Sequence, residues 1–349
     1  MSIEARDFEI FSGTGGVGKT TLATSRAIQI AQSGKRVLLI TIDPAKRLRE
    51  LLNLELDMAG EVITVEDPFN TGEKIPLDVE LMNPTSTFER IVKESDCEEV
   101  LTNRILKILT KPHGGLNEIL AIVELNIQFK SGKYDVIVLD TPPGSHFLDF
   151  LESVDRIKLF FDQSFIDIFN FLGKKVEKKS FSFGKKMVNI VVSTGVKKLL
   201  GYLNKVTGDK FVDDFIDAII AIYKTKKTFL DALKLQDTLK HSDHSAWYLV
   251  TSVEQNKLRE ALDLKAHARG LITKQSSIIL NKCIEENLAE WNPETDSKNF
   301  LLKESLLNRE KKLKSDLKNH FERILEFPEI FNISPLKHVE SLTQSWKQL

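Results

Sequence analysis

Eight consecutive residues constrain this chain more than any others: Gly13-Thr14-Gly15-Gly16-Val17-Gly18-Lys19-Thr20. They fit G-x-x-x-x-G-K-[ST], with the apolar run Phe8 to Ser12 before them and a helical pattern from Thr20 to Ser33 after them. Glycines there let backbone N–H groups turn inward around phosphate oxygens, and the helix N-terminus adds a favourable dipole. Lys19 is the residue expected on the β- and γ-phosphates, the Thr20 hydroxyl on Mg²⁺, and Thr21 near the α-phosphate. The same stretch also reads as G-x-G-x-x-G through Gly13, Gly15 and Gly18, a dinucleotide pattern with Asp43 ending the next strand. Lys19-Thr20-Thr21 decides between the two, because a pyrophosphate-binding helix start needs neither a buried lysine nor a metal-binding hydroxyl.

Short apolar runs recur along the rest of the chain at Val37 to Ile42, Asp135 to Leu139, Trp247 to Thr251, Ser277 to Asn281 and Arg323 to Phe327. They are continuous rather than alternating, with helical patterns between them, which marks a parallel sheet covered on both faces. The expected class is therefore α/β, a doubly wound and mainly parallel sheet of the P-loop type, in a single domain over 1–349. Two of these runs end in aspartates, Asp43 and Asp140, placed where ligands sit beyond the carboxyl ends of parallel strands. Asp140 is read as a Walker B carboxylate and Asp43 as the group that polarises attacking water; with Thr20 they form the candidate metal site. Residues 54–86, acidic and punctuated by Pro and Gly, read as loop with one strand. Helical insertions at about 87–130 and 151–240 interrupt the βα rhythm and are expected to form a helical subdomain beside the sheet.

Composition narrows the function classes. A formal net charge of −1 argues against nucleic-acid or anionic-membrane binding driven by bulk charge. No segment reaches the ~20 uninterrupted apolar residues of a membrane-spanning helix. The acidic start, MSIEARDFEIFSG, does not read as a secretory signal. Two cysteines far apart, Cys97 and Cys283, give no disulfide framework, so a reducing cytoplasm is expected. Cys283 is expected to fill core space behind Asn281, and Cys97 to lie on a helical face.

GTGGVGKTT, TIDPAKRL and VIVLDTPPGSHFLDFLE, in that order, resemble the ArsA family: arsenite-pump ATPases and their relatives that target tail-anchored membrane proteins, within the class that includes MinD and ParA. WYLVTSVEQNKLREA, SIILNKC and ILEFPEIFNISPLKHVESL extend the resemblance over nearly the whole chain. It implies a Mg²⁺-dependent ATPase that dimerises and couples nucleotide state to a hydrophobic groove. Gly15 to Thr21 match the family's phosphate loop, Asp43 its switch I aspartate, and Asp140 to His146 its switch II. Asn281 and Lys282 match the adenine site, with Pro328 and Glu329 as neighbours. One departure stands out. The family's loop begins G-K-G-G, its first lysine reaching the partner's nucleotide, and here that position is Thr14. A hydroxyl cannot supply that charge, so Lys46 and Arg47 on switch I become candidate cations, Arg47 foremost. Alternatively the chain pairs as a heterodimer with a lysine-bearing paralogous ATPase rather than as a homodimer. Arsenite is not expected as the ligand, since a soft metalloid calls for several convergent thiolates.

Ile157, Phe160, Phe161, Phe165, Ile168, Phe169 and Leu172 fall at helical spacing, as do Val188, Val191, Val192, Val196, Leu199 and Leu203. One reading packs these stripes on each other and on the dimer partner. The other makes Phe160, Phe161, Phe165, Phe169, Val192 and Leu199 a groove for an apolar helix of a client. Three functions stay open: an ATPase coupled to a hydrophobic client, a low-turnover regulatory subunit, and a positioning ATPase of the MinD kind. The stretch from Lys337 to Leu349, short and weakly amphipathic, disfavours the last.

Overall fold

The computed structural model describes residues 3–42, 46–53, 59–111, 116–144, 205–206, 209–241, 243–268, 270–273, 276–295, 297–331 and 334–349. Eight strands form one sheet: β1 Phe8–Gly13, β2 Val37–Thr41, β3 Val62–Thr64, β4 Leu77–Leu81, β5 Val136–Asp140, β6 Ser245–Ser252, β7 Ser277–Cys283 and β8 Arg323–Pro328. Their order is β3-β4-β2-β5-β1-β6-β7-β8. Every pairing is parallel except β3 with β4. Strands β1, β2 and β5 are buried at every residue, as parallel strands covered on both faces must be. The expected α/β class is what the molecule has.

Strand order places the functional crevice. From β1 the chain crosses through α1, Lys19–Ala31, to β2 on one side of the sheet, while β6, β7 and β8 build the other side. The carboxyl end of β1 therefore stands at the switch point where the two windings part, which is where open α/β sheets bind ligands.

The sheet edge departs from the sequence reading. Residues 54–86 supply two strands rather than one. β3 is a three-residue antiparallel edge strand, mostly exposed, and β4 is almost wholly buried. Glu80 within β4 breaks the apolar run, yet it is 1 % exposed and accepts a hydrogen bond from Gln128 at 3.2 Å. A buried carboxylate with a partner is tolerated in a core strand.

The chain divides into two compact units, 1–82 with 127–151 and 236–349, and 83–126 with 152–235. The first holds the sheet. Its remaining helices are α2 Lys46–Leu52, α8 Gln255–His267, α9 Glu285–Ala289, α10 Lys298–Lys318 and α11 Pro335–Gln348. The C-terminal segment corrects a second expectation. Val339, Leu342, Thr343 and Trp346 recur at helical spacing, are all buried, and lay α11 against α1. Trp346 packs against the rings of Phe327, Tyr248 and Phe11 at 4.6, 5.8 and 6.1 Å, and its Nε1 donates to Ser25 Oγ at 3.0 Å. The Arg26 guanidinium lies 5.1 Å from the Trp346 ring centre and grips Glu9 of β1 through two bonds of 2.7 Å. Burial opposes the Arg26 charge, but the Glu9 carboxylate outweighs it and holds the pKa above its ordinary value.

The second unit is helical where described. Asn83 caps α3, Pro84–Glu94, through Thr85 and Ser86 N–H, and Asn103 caps α4, Arg104–Leu109, through Ile105 and Leu106 N–H. A 3₁₀ turn, Glu98–Thr102, joins them, and α5, Asn117–Lys130, continues into the first unit. Helix α6, Asp209–Lys224, and the start of α7, Lys226–Lys240, complete it. Asn103 ties α4 to α6 by donating to the Asp214 carbonyl at 2.6 Å. Cys97 lies in the turn ahead of the 3₁₀ segment, fully buried, rather than on a helical face as expected. Residues 112–115, 151–204 and the apolar stripes beginning at Ile157 and Val188 lie outside the described residues. Among the described residues no helix is long and apolar enough to cross a membrane.

Candidate nucleotide site

The loop between β1 and α1 is built as the sequence demands. Gly13, at φ 152°, abuts β6 so closely that a Cβ would collide with the Val250 carbonyl oxygen. Gly18 takes φ 91° as the N-cap of α1, a left-handed conformation that glycine adopts without steric cost. A Cβ on Gly18 would also strike the Asn281 amide. Gly18→Ala is therefore expected to weaken Mg-ATP binding at least about tenfold, because strain of about 1–3 kcal/mol opposes the phosphate-ready loop. Isothermal calorimetry would measure it.

Lys19, Thr20 and Thr21 then occupy the first turn of α1, with Lys19 8 % exposed and Thr21 4 % exposed. The Thr20 hydroxyl donates to Asp140 Oδ2 at 2.7 Å, across 120 residues of sequence. Asp140 ends β5 and is 2 % exposed; it stands in register with Phe11 of β1 and Thr41 of β2. Thr41 donates to the same Oδ2 at 3.1 Å. Beyond Asp140 the chain is held to β1: Thr141 Oγ1 donates to the Phe11 carbonyl at 2.8 Å and Gly144 N–H to the Gly13 carbonyl at 3.1 Å.

A hydroxyl and a carboxylate side by side at a helix N-terminus are hard oxygen donors. They suit Mg²⁺, which takes one or two protein ligands and fills its octahedron with phosphate oxygens and water. Among the described residues no group of three or more His, Cys, Asp or Glu is placed to hold a metal by itself. Both thiols are buried, and burial is the first cause raising their pKa values.

The other expected residues divide into three groups. Asn281 stands in register with Ser252 near the end of β7, and its Nδ2 donates to the Val17 carbonyl at 2.8 Å, so it braces the loop directly. Lys282 follows at φ 63°, and Glu329 N–H, just beyond Pro328, donates to the Cys283 carbonyl at 2.7 Å. The carboxyl ends of β7 and β8 thus bring Asn281, Lys282, Pro328 and Glu329 to one edge of the crevice. Arg47 is exposed on α2. Burial lowers the pKa of His338 on α11, with Glu329 opposing the shift and the charges of Arg47 and Lys282 adding to it. Thr14 is 6 % exposed, its hydroxyl without a hydrogen-bond partner among the described residues. Lys46 opens α2. Asp43 and His146, and with them Phe160, Phe161, Phe165, Phe169, Val192 and Leu199, lie outside the described residues.

Comparison with known proteins gives the family. Residues 7–328 match the family model for anion-transporting ATPases. A putative arsenical pump-driving ATPase 2 from Aquifex aeolicus (strain VF5) is 31 % identical over 44 % of this chain and 51 % of its own. ATPase GET3 of Mycosarcoma maydis is 32 % identical over 40 % of each chain. A putative arsenical pump-driving ATPase 1, also from A. aeolicus, is 22 % identical over 91 % of this chain and 72 % of its own. The chain thus spans about half or less of the first two relatives and more of the third. With the family model covering the sheet from β1 to β8, the chain belongs to the anion-transporting ATPase family.

Proposed function

We propose that this chain binds Mg-ATP between its glycine loop and the ends of β7 and β8, and hydrolyses it. The observation that carries this is the 2.7 Å bond from Thr20 to Asp140 at the mouth of a glycine-rich loop whose next helix begins at Lys19. Thr20 and Asp140 would hold the metal, which when bound neutralises charge on the β- and γ-phosphate oxygens. Lys19 supplies a second positive charge to the phosphates, and the loop amides supply directed donors. Asp43 orients the attacking water. The water oxygen bonds to the γ-phosphorus as the bond to the ADP oxygen breaks. Asn281, Lys282, Pro328 and Glu329 border the base.

We further propose that the chain works as a dimer and that nucleotide state governs its grip on a hydrophobic membrane-protein segment, as the tail-anchored-protein branch of the family does. Residues 160–199 carry the candidate client surface. Helix α11 supports this over a MinD-like positioning role, since its apolar side is committed to α1 and is not available as a membrane anchor.

Thr14 favours a second reading, a regulatory subunit with little turnover of its own. Its short, buried hydroxyl supplies no charge to a neighbouring subunit, which leaves Arg47 or a paralogue's lysine to do so. Calorimetry with Mg-ATP and phosphate-release kinetics on the purified chain test both. Micromolar binding with steady turnover that falls at least tenfold in Arg47→Ala supports the ATPase. Binding with turnover appearing only on adding a lysine-bearing paralogue supports the regulatory subunit. No detectable binding overturns the nucleotide reading altogether.

A further inference from the structure

We infer that Thr41 is a positioning residue of this site, holding the metal-facing carboxylate in place from the strand that leads into switch I; the inference rests on the nucleotide reading above. Asp140 Oδ2 receives two hydroxyl hydrogens, one from Thr20 at 2.7 Å and one from Thr41 at 3.1 Å. An ionised carboxylate is acceptor-only, so both hydroxyls donate and neither can be replaced by the other's lone pair. The two donors come from opposite sides of β5: Thr20 from the helix after β1, Thr41 from β2. Together they leave the carboxylate little freedom to rotate about its last bond.

Thr41 is itself fixed. It is fully buried, and its χ1 is stiff because Cβ is branched. Its backbone is pinned on both sides: Met82 N–H donates to the Thr41 carbonyl at 3.0 Å, and Ile42 N–H donates to the Asp140 carbonyl at 3.1 Å. Only Ile42 separates Thr41 from Asp43, the residue assigned to the attacking water. One hydroxyl thus joins the root of switch I to the carboxylate that would face the metal. Groups that orient a metal's first ligands typically contribute ~10–100-fold to metal affinity. A threonine that only fills space between strands would contribute to packing and nothing to the metal.

Thr41→Val keeps the shape and removes the hydroxyl, and Thr41→Ser restores it. Mn²⁺ binding to each protein in excess ADP is read by electron paramagnetic resonance, and ADP binding in EDTA by calorimetry. Thr41→Val is expected to weaken Mn²⁺ about tenfold, leave metal-free ADP affinity within twofold of wild type, and recover most of the Mn²⁺ affinity as Thr41→Ser. Equal Mn²⁺ affinity in Thr41→Val and wild type overturns the inference. So does a parallel loss of metal-free ADP affinity, or a serine variant no better than valine, since either outcome marks a packing role. Wild-type protein that binds neither ADP nor Mn²⁺ sinks the nucleotide reading itself, a result distinct from the other three.

Discussion

Lys19→Ala is expected to abolish measurable Mg-ATP binding, weakening it ~100-fold or more. The lysine opens α1 with only 8 % of its surface exposed, directly after a left-handed glycine. A hydrogen bond to a charged group contributes about 1.5–3 kcal/mol, and a lysine bridging two phosphates makes more than one. Loss of both, in a site shielded from water, supports the estimate of two decades. Asp43→Asn should behave differently. The amide keeps the shape and loses the charge that orients water, so nucleotide binding stays near wild type while phosphate release falls ~100-fold or more, the range found for positioned acid–base groups. Calorimetry and single-turnover kinetics on the two variants separate the roles. Normal turnover in Asp43→Asn would remove Asp43 from the mechanism without touching Lys19.

Trp346→Ala should cost about 3–5 kcal/mol of folding stability, the range for deleting a buried tryptophan. Three losses combine. The indole leaves a void beside Phe327, Tyr248 and Phe11. Ser25 Oγ loses a donor. Arg26 loses the aromatic face it lies against, though its bond pair to Glu9 remains. The expected signature in urea is a lower midpoint with an unchanged slope, because the surface exposed on unfolding barely changes. Trp346→Phe should recover more than half the loss by refilling the void. Equal stability of wild type and alanine variant would mean that α11 is not seated on α1 in solution. Because α1 begins at Lys19, a loosened α11 should also raise the nucleotide dissociation constant, though far less than loss of Lys19 does.

Much of the site was legible because its chemistry is local. The G-x-x-x-x-G-K-[ST] pattern places the glycines, the lysine and the metal-binding hydroxyl of a phosphate cradle within eight consecutive residues. Asp140 stood out for a related reason: a carboxylate closes a run of buried apolar residues, and sheet register sets it beside Thr20. Three features were not legible. The pair β3 and β4 is obscured by exposed residues on a three-residue edge strand and by Glu80, whose burial is made acceptable by Gln128, 48 residues away. The amphipathic character of α11 rests on one tryptophan and two aliphatic residues, too few to stand out in a charged segment. Cys97 sits in a turn that packs inward, a placement that no periodicity announces.

The sequence by itself determined the glycine loop, the parallel α/β sheet and the aspartate that closes β5, since these follow from residue chemistry within a window of a few turns. Tertiary structure decided which distant groups meet: Thr41 and Thr20 on one carboxylate oxygen, and Asn281 under the loop at Val17. The physical reason is strand order. Neighbours in the sheet are not neighbours in the chain, so register between β1, β2, β5, β6 and β7 sets distances that no local pattern contains.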